Sequence, residues 1–285
     1  MSAVAASPHE LRLHDEIGRR VAAREAVSRA SIAAARAAVF AVALSAWVFA
    51  SGRLADRQFI SDPLEVLRAF WTLVATGRLW PNLIQTLAEV LSGYAIGAVL
   101  GIVVALVVAF QETAQRVLRP FLIAFYSIPK IALAPLFIMW FGLGPAPKIV
   151  LAAIFFFFVV FMNVAAGLYQ VSPDLVNVVR VMGARRIDVV RKIALPSVVP
   201  YLMTGLRIAV PEALIGAVIG EFMSANAGLG YLVNNAAEQF NTAATLAAIV
   251  ALLLIVAAMD AALGLLEHRL LGWRPRDDLV LAVKG

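Results

Sequence analysis

Long apolar runs alternate with short polar connections over most of this chain. An α-helix rises about 1.5 Å per residue, so about 20 apolar residues are needed to cross the hydrocarbon core of a bilayer. The runs predict six membrane-spanning helices, at residues 32–50, 86–110, 120–141, 149–170, 201–222 and 243–266. The sequence therefore predicts an all-α membrane domain over residues 32–268, preceded by a basic segment (1–31) and followed by a tail (269–285).

Composition supports a membrane protein. Of the 285 residues, 62% are hydrophobic and 15% are charged, and the mean hydropathy is +0.88, which lies outside the usual range of soluble domains. The chain has no cysteine, which excludes disulfides, thiol nucleophiles and cysteine-ligated metals. His9, His14 and His268 lie outside the apolar runs, which argues against a histidine metal site in the membrane. We expect neither a metal nor a cofactor in this chain.

The positions of Lys and Arg predict the orientation of the spans, since cytoplasmic loops carry the excess of these residues. Seventeen of the 24 basic residues fall on the side of the N-terminal segment, residues 172–200 and the tail, and five fall on the other side. Both termini and residues 172–200 are therefore predicted to be cytoplasmic, in the inner membrane of a bacterial cell. The net charge of +6 is spread over short loops, which argues against a nucleic-acid partner.

The segment before the first span leaves alternatives open. A cleaved signal peptide is disfavoured, because about thirty mostly polar residues precede the apolar run and carry more charge than such a leader needs. Ser7, Pro8 and Glu10 resemble a capping box that starts a helix through about Ala35. This segment is interpreted either as a helix on the inner membrane surface or as a solvated basic tail.

The connection at residues 51–85 is the longest on the outer side. Ser61, Asp62 and Pro63 predict the start of a short helix over residues 64–76. We interpret this connection as a scaffold rather than a site.

The third span is predicted to be broken. Pro129 and Pro135 each remove a backbone donor, beside Ser127 and Lys130. Irregular backbone at membrane depth is tolerated only inside protein or beside a water-filled cavity, which indicates a translocation pathway here. A lipid-facing Lys130 would cost about 3 kcal/mol near the bilayer centre, so an inward position is favoured.

The fifth span also carries charge and a proline, at Arg207, Pro211, Glu212 and Glu221. We predict that Ser127, Pro129, Lys130, Arg207, Glu212 and Glu221 line the pathway. The alternative for Arg207 and Glu221 is that each extends from an end of its helix to the membrane surface. Asn163 and Asp260 are interpreted as hydrogen-bond partners between helices.

Glycines recur at every fourth residue in two spans, as Gly93, Gly97 and Gly101 and as Gly216 and Gly220. This spacing places small residues on one helix face, where neighbouring backbones can approach closely. We expect these glycines to serve helix packing.

Residues 172–200, which we call the elbow segment, interrupt the apolar sequence with two short helices. Ser172, Pro173 and Asp174 are typical of a helix start, and Gly183 predicts its end. A second helix is expected to follow and to end before Pro196. Two such helices are suited to docking in the groove of a partner.

The chain carries no motif for its own energy supply. No G-x-x-x-x-G-K-[ST] phosphate loop is present, since residues 142–148 (GLGPAPK) lack its ending. HExxH, GxSxG and paired-carboxylate patterns are also absent from the sequence. We therefore expect a subunit that is not an enzyme.

These residues together resemble permease subunits of ATP-binding-cassette (ABC) importers, in the branch for nitrate, sulfonate, taurine and related organic anions. The similarity covers about residues 61–273. The elbow segment is similar to the family's cytoplasmic EAA signature, with Gly183 and Ala184 at its centre and LPSVVP at its close. Further similar stretches are APLFIMWFGLGPAPKI, TGLRIAVPEALIGAVIGEF and NAGLGYL.

The resemblance implies a type I importer fold of six spans, with the elbow segment as a coupling helix seated in a cleft of the ATPase. It implies two ATPase subunits that bind the ATP and Mg, a periplasmic or lipid-tethered solute-binding protein, and a second permease copy in a homodimer. By position, the coupling role falls on Asp174, Asn177, Val179, Gly183, Ala184, Arg185, Asp188, Lys192, Leu195 and Pro196. The acid and the alanine of the signature's name fall at Asn177 and Val179, so no acidic contact is expected at Asn177. A tryptophan common in the family near Ala213 is absent, which leaves the substrate open.

A second hypothesis is an ion-coupled secondary transporter or channel. Lys130, Glu212 and Asp260 would then be the coupling charges in the membrane. Inverted repeats would support it, and the sequence shows none.

Overall fold

The computed structural model describes residues 31–53, 59–224 and 226–271. The predicted capping box at Ser7 and most of the C-terminal tail lie outside the described residues. The chain divides into two compact units, residues 1–65 and 66–285.

The first unit contains α1 (Ser31–Ala50), an apolar helix long enough to cross a membrane. Two hydrogen bonds join the end of this helix to the residues before α2. The indole nitrogen of Trp47 donates to the carbonyl oxygen of Ser61 at 2.9 Å, and the hydroxyl of Ser51 donates to the carbonyl oxygen of Ile60 at 2.8 Å. The hydroxyl of Ser61 donates to Glu65 at 2.9 Å in the first turn of α2 (Pro63–Ala75). The short helix predicted from Ser61, Asp62 and Pro63 is confirmed.

Most of the second unit is built from long apolar helices. Its elements are α3 (Leu79–Phe110), α4 (Glu112–Ser127), a 3-10 turn (Lys130–Leu133), α5 (Ala134–Phe141), α6 (Ala146–Tyr169), α7 (Pro173–Val181), α8 (Arg186–Val189), a π-helical segment (Val190–Ala194), α9 (Leu195–Ser224), α10 (Leu229–Glu238) and α11 (Thr242–Leu270). Five helices of the described chain are long and apolar enough to span a membrane, and α4 with α5 forms a sixth, broken candidate bent by 86°. The six predicted spans and the predicted break in the third are confirmed.

Helix α6 lies at the centre of this unit, between α3 and α9. Its side chains include Leu151, Phe156 and Val164, which are fully buried. Close approach is possible because glycines face α6: a Cβ on Gly97 would lie 2.6 Å from the carbonyl oxygen of Ala153. The helices therefore meet at backbone distance, as small residues allow in membrane bundles.

The same geometry holds at the other glycines of the two series. A Cβ on Gly93 would lie 2.5 Å from that of Ala152, and one on Gly216 would lie 2.8 Å from the Cα of Ala152. Gly101 faces the backbone of Phe157, and Gly220 faces the side chain of Lys148. These positions bring both α3 and α9 to backbone distance of α6. Helix α11 packs against α9 and α10.

Two ends of the bundle differ in structure. Helices α7 and α8 connect α6 to α9 at one end, which we call the elbow end. Helix α10 connects α9 to α11 at the other, the α10 end, where it also contacts α3.

Candidate functional site

The first helix of the elbow segment has sharply defined ends. Ser172 occupies the N-cap position with extended backbone, although its side chain makes no capping hydrogen bond, and Pro173 follows as the first helical residue. At the other end Gly183 has φ +88°. Its N–H donates to the carbonyl oxygen of Arg180 at 2.9 Å, and the N–H of Ala184 donates to that of Val179 at 3.1 Å. This pair of bonds is a Schellman motif, which ends the helix at a residue in the left-handed region.

The second helix starts with a cap from Asp188. The backbone N–H of Arg185 donates to a carboxylate oxygen of Asp188 at 3.1 Å, and the other oxygen of Asp188 lies 3.5 Å from the ammonium of Lys192. A carboxylate that binds a free N–H at a helix N-terminus also complements the helix dipole. The turn from Gly183 to Arg185 is therefore fixed on both sides.

The prediction that the second helix ends before Pro196 is wrong. Helix α8 continues through the π-helical segment into α9, where the N–H of Leu195 donates to the carbonyl oxygen of Val190, five residues back. Pro196 lacks an N–H and its ring clashes with the carbonyl four residues back in a regular α-helix. The wider π turn accommodates this ring just before the regular helix resumes. Helix α8, the π-helical segment and the membrane span α9 are consequently one continuous helix.

The elbow segment presents an apolar surface outward. Val181 is 89% exposed and Met182 is 81% exposed, and Leu175, Val178 and Ile187 are also exposed. The opposite side of the segment is anchored, because Val189, Ile193 and Ala194 are buried against the bundle. The predicted coupling residues Asp174, Asn177, Gly183, Arg185, Lys192, Leu195 and Pro196 are exposed, while Val179, Ala184 and Asp188 are half-buried. An exposed apolar surface beside charged groups is typical of a protein interface.

The break between α4 and α5 lines a cavity of about 760 Å³. Ile128, Lys130 and Leu133 contribute from the break, and α3 and α6 contribute apolar side chains such as Leu100 and Phe157. Of the predicted pathway residues, Lys130 lines this cavity, and Ser127 and Pro129 belong to the same turn. The break thus faces an apolar cavity that is open on one side in the single chain.

Among the residues whose side chains the structure describes, Lys130 is the one charged group in the lining of this cavity. Its Nζ lies 4.8 Å from the ring centroid of Tyr126, 5.5 Å from that of Phe155 and 5.3 Å from that of Phe158. Such distances give favourable cation–π attraction. Within the described part of the chain no carboxylate lies within 4.0 Å of this ammonium. The cavity therefore combines an apolar wall with a positive charge that aromatic rings hold in place.

Arg207 lies in α9 between two carboxylates of α11. Its Nε donates to Asp260 at 2.8 Å and its Nη2 donates to the other oxygen of Asp260 at 2.9 Å. Its Nη1 donates to Glu267 at 2.9 Å. The sequence did not pair these residues, because they are separated by more than fifty positions, although each is a charge inside or beside an apolar run. Asp260 is thus a hydrogen-bond partner that joins α11 to α9. Glu212, predicted to line the pathway, is half-buried in α9.

A second polar cluster lies at the α10 end. Glu221 is 1% exposed, and one oxygen accepts from the hydroxyl of Thr86 at 2.6 Å while the other accepts from the backbone N–H of Gly230. Thr86 also accepts from the N–H of Leu229 at 2.8 Å. These bonds tie the start of α10 to α3 and α9. The carboxylate of Glu221 is thereby committed to backbone and hydroxyl donors.

An ion pair completes this cluster. Lys148 is 4% exposed and Glu89 is 2% exposed, and the ammonium lies 3.2 Å from the carboxylate. Gln85 donates to the same carboxylate oxygen at 2.6 Å. The apolar pattern predicts a loop at Lys148, just before the fourth span, and assigns no role to Glu89. The signal that would have found Glu89 is an acidic residue inside the apolar run of the second span.

Long apolar helices, a broken span beside an open apolar cavity and an exposed helical connection are features typical of the membrane subunit of a transporter. The model of the family described as binding-protein-dependent transport system inner membrane component matches residues 97–272. The chain belongs to this family and is a permease subunit of an ABC importer. The predicted resemblance is confirmed, and the ion-coupled alternative is not favoured.

Individual relatives agree with this assignment. The chain is 36% identical to the riboflavin transport system permease RibX of Chloroflexus aurantiacus, over 75% of this chain and 80% of that protein. It is also 36% identical to the putative aliphatic sulfonates transport permease SsuC of Escherichia coli, over 81% of this chain and 89% of that protein. A crystal form of the inward-facing MetNI methionine ABC transporter has a TM-score of 0.60 at 22% identity, covering 70% of this chain and 96% of that chain. The type I importer fold is confirmed.

Proposed function

We propose that this chain forms, as a homodimer, the translocation pathway of an importer for a small organic anion. Two ATPase subunits dock on the elbow segments and bind the ATP and Mg, and a solute-binding protein delivers the substrate at the α10 end. Both termini and the elbow end are cytoplasmic, as the distribution of Lys and Arg indicates. Residues 32–268 form the permease domain between a basic N-terminal segment and a C-terminal tail.

The exposed apolar surface of the elbow segment is the observation that supports ATPase docking. Val181 and Met182 lie at the end of α7, next to the fixed turn at Gly183, and they project from the bundle. A rigid turn loses little conformational freedom on binding, which favours affinity. Because α8 continues into α9, a force on the docked turn acts directly on a membrane span.

An anionic substrate is supported by Lys130. Its ammonium places a positive charge in a cavity whose other described lining residues are apolar, at the break between α4 and α5. An apolar wall with one fixed cation suits a solute that has a hydrocarbon or aromatic part and one anionic group. The similarity to a permease named for aliphatic sulfonates agrees with this class of substrate.

Docking is tested by Met182→Asp in the reconstituted complex. We expect loss of ATPase co-purification, because a carboxylate replaces an apolar contact at the centre of the interface. Leu143→Asp is a matched control, since Leu143 is a 71% exposed apolar residue near the α10 end. Retention of the ATPase by Met182→Asp would reject docking at this surface.

The substrate class is tested by uptake of an alkanesulfonate into proteoliposomes that contain the whole complex. Lys130→Met is expected to lower uptake while ATP hydrolysis and ATPase binding persist, because the variant keeps the stem and loses the charge. Arg68→Met, which removes an exposed charge of α2 outside the cavity and the elbow segment, is the control. Equal uptake by Lys130→Met and wild type would remove the anion site from the proposal.

A further inference from the structure

A charged cluster of Arg207, Asp260 and Glu267 connects α9 to α11. The guanidinium forms two parallel hydrogen bonds to Asp260, at 2.8 and 2.9 Å, and a third to Glu267 at 2.9 Å. Paired bonds of this kind fix the relative orientation of their partners as well as their separation. The two acidic residues lie two turns apart on α11, so the guanidinium is held along that helix as well as across it.

Helix α9 connects this cluster to the elbow segment. The π-helical segment leads into α9 at Leu195, and Arg207 follows twelve residues later. That distance is about 18 Å along a helix. A displacement of the elbow segment therefore reaches Arg207 through a single helix, with no loop in between.

Helix α11 has no such link of its own to the elbow segment in the described chain. It packs against α9 and α10 through apolar residues such as Ala248, Ala251 and Ile255. Apolar contacts allow two helices to slide past one another more readily than directed hydrogen bonds do. The charged cluster is consequently a directed contact through which α11 can follow α9.

The cluster also lies on an accessible face. The side chains of Arg207, Asp260 and Glu267 are 39%, 46% and 30% exposed in the single chain. Charged groups at these positions of two spans are costly against acyl chains, so this face is one that water or protein covers. Movement of the cluster does not require it to pass through lipid.

We propose that Arg207 is a positioning residue, which clamps α11 to α9 so that both helices follow the elbow segment during ATP-driven transport. This inference rests on the proposed docking of the ATPase at the elbow segment. It assigns Arg207 a mechanical role, through its two carboxylate partners, rather than contact with the substrate.

The test compares uptake and ATP hydrolysis in the complete complex, reconstituted with its ATPase and binding protein. Arg207→Met is expected to keep ATPase binding and substrate-stimulated hydrolysis, but to lower the number of substrate molecules moved per ATP about tenfold. Arg68→Met, which removes an exposed arginine of α2, is the matched control and should leave that ratio unchanged. A wild-type ratio in Arg207→Met would overturn the clamp.

A second variant separates this role from a need for Arg207 in folding. The natural chain has no cysteine, so Arg207→Cys with Asp260→Cys gives one defined pair for a short thiol-reactive crosslinker. Restored transport per ATP after crosslinking, lost again when a cleavable linker is cut, is the expected result. Uncoupled hydrolysis that persists after crosslinking would overturn the proposal.

The outcome for the clamp is distinguishable from that for docking. Failure of the wild-type complex to couple uptake to ATP, or an ATPase that binds equally well to Met182→Asp, refutes the proposed function. A wild-type complex that couples normally, beside an unaffected Arg207→Met, refutes the clamp alone.

Discussion

Replacing Lys148 with methionine gives the sharpest test of the buried cluster at the α10 end. Methionine keeps an unbranched apolar stem, which maintains the close contact of this residue with Gly220. The substitution removes only the ammonium that lies 3.2 Å from Glu89. Gln85 would be left as the hydrogen-bond donor to a carboxylate that is 2% exposed.

The expected magnitude follows from this burial. Removal of one partner from a buried ion pair typically costs about 3–5 kcal/mol, because the remaining charge is uncompensated. One oxygen of Glu89 already has no hydrogen-bond partner among the described residues, so no second donor is in place to take over. The double variant Lys148→Met with Glu89→Gln leaves no buried charge at this pair, and we expect it to recover most of the lost stability.

Thermal unfolding of the purified permease complex in detergent measures this difference. The single variant should unfold on the order of 10 °C below wild type. Lys192→Met is the control, because its ion pair with Asp188 is exposed and contributes about 0–1 kcal/mol. A single variant as stable as wild type, or a double variant no better than the single one, would show that the pair does not carry the stability assigned to it.

Three further substitutions test the packing and the turns. Gly97→Leu should prevent assembly of a monodisperse permease, since its Cβ would lie 2.6 Å from a backbone oxygen. The control Gly144→Ala, whose Cβ would have no atom within 4 Å, should elute normally in size-exclusion chromatography. Equal elution profiles for the two variants would contradict this packing. Gly183→Val should lower substrate-stimulated ATPase activity while membrane insertion persists, because a backbone φ of +88° costs a β-branched residue about 1–2 kcal/mol. Undiminished ATPase activity would argue against a fixed turn. Thr86→Val should lower the free energy of unfolding by about 1–3 kcal/mol, since Glu221 and the backbone N–H of Leu229 both lose their hydrogen-bond partner. An unchanged unfolding temperature would count against a stabilising role for these two bonds.

Local signals in the sequence predicted the local features of this fold. The proline and capping residues at Pro63 and the glycine at Gly183 each act within one helical turn, and the structure has a helix start and a helix end at these positions. The break of the third span was predictable for the same reason, because Pro129 removes a backbone donor where the helix would continue.

Features that depend on the packing of distant segments were not predictable in the same way. Glu89 and Lys148 are 59 positions apart, and Arg207 is 53 positions from Asp260, so one sequence gives no sign that they pair. At Pro196 the local rule failed, since a π turn accommodates the proline and the helix continues into α9. Tertiary packing of Val189 and Ile193 against the bundle favours this continuation over a helix end.

The extra residue in the turn at Val190–Ala194 has a consequence for how such proteins diverge. A π turn contains about one residue more than an α turn, and each residue advances a helix by about 100°. Because a whole π turn and a whole α turn each complete about one revolution, loss of a single residue there would restore a regular helix and leave the surface of α8 facing nearly the same way. The cost would fall instead at Pro196, whose ring would then meet the carbonyl oxygen four residues back. A permease lineage that keeps this proline is therefore expected to keep the additional residue as well, so that the two are gained or lost together.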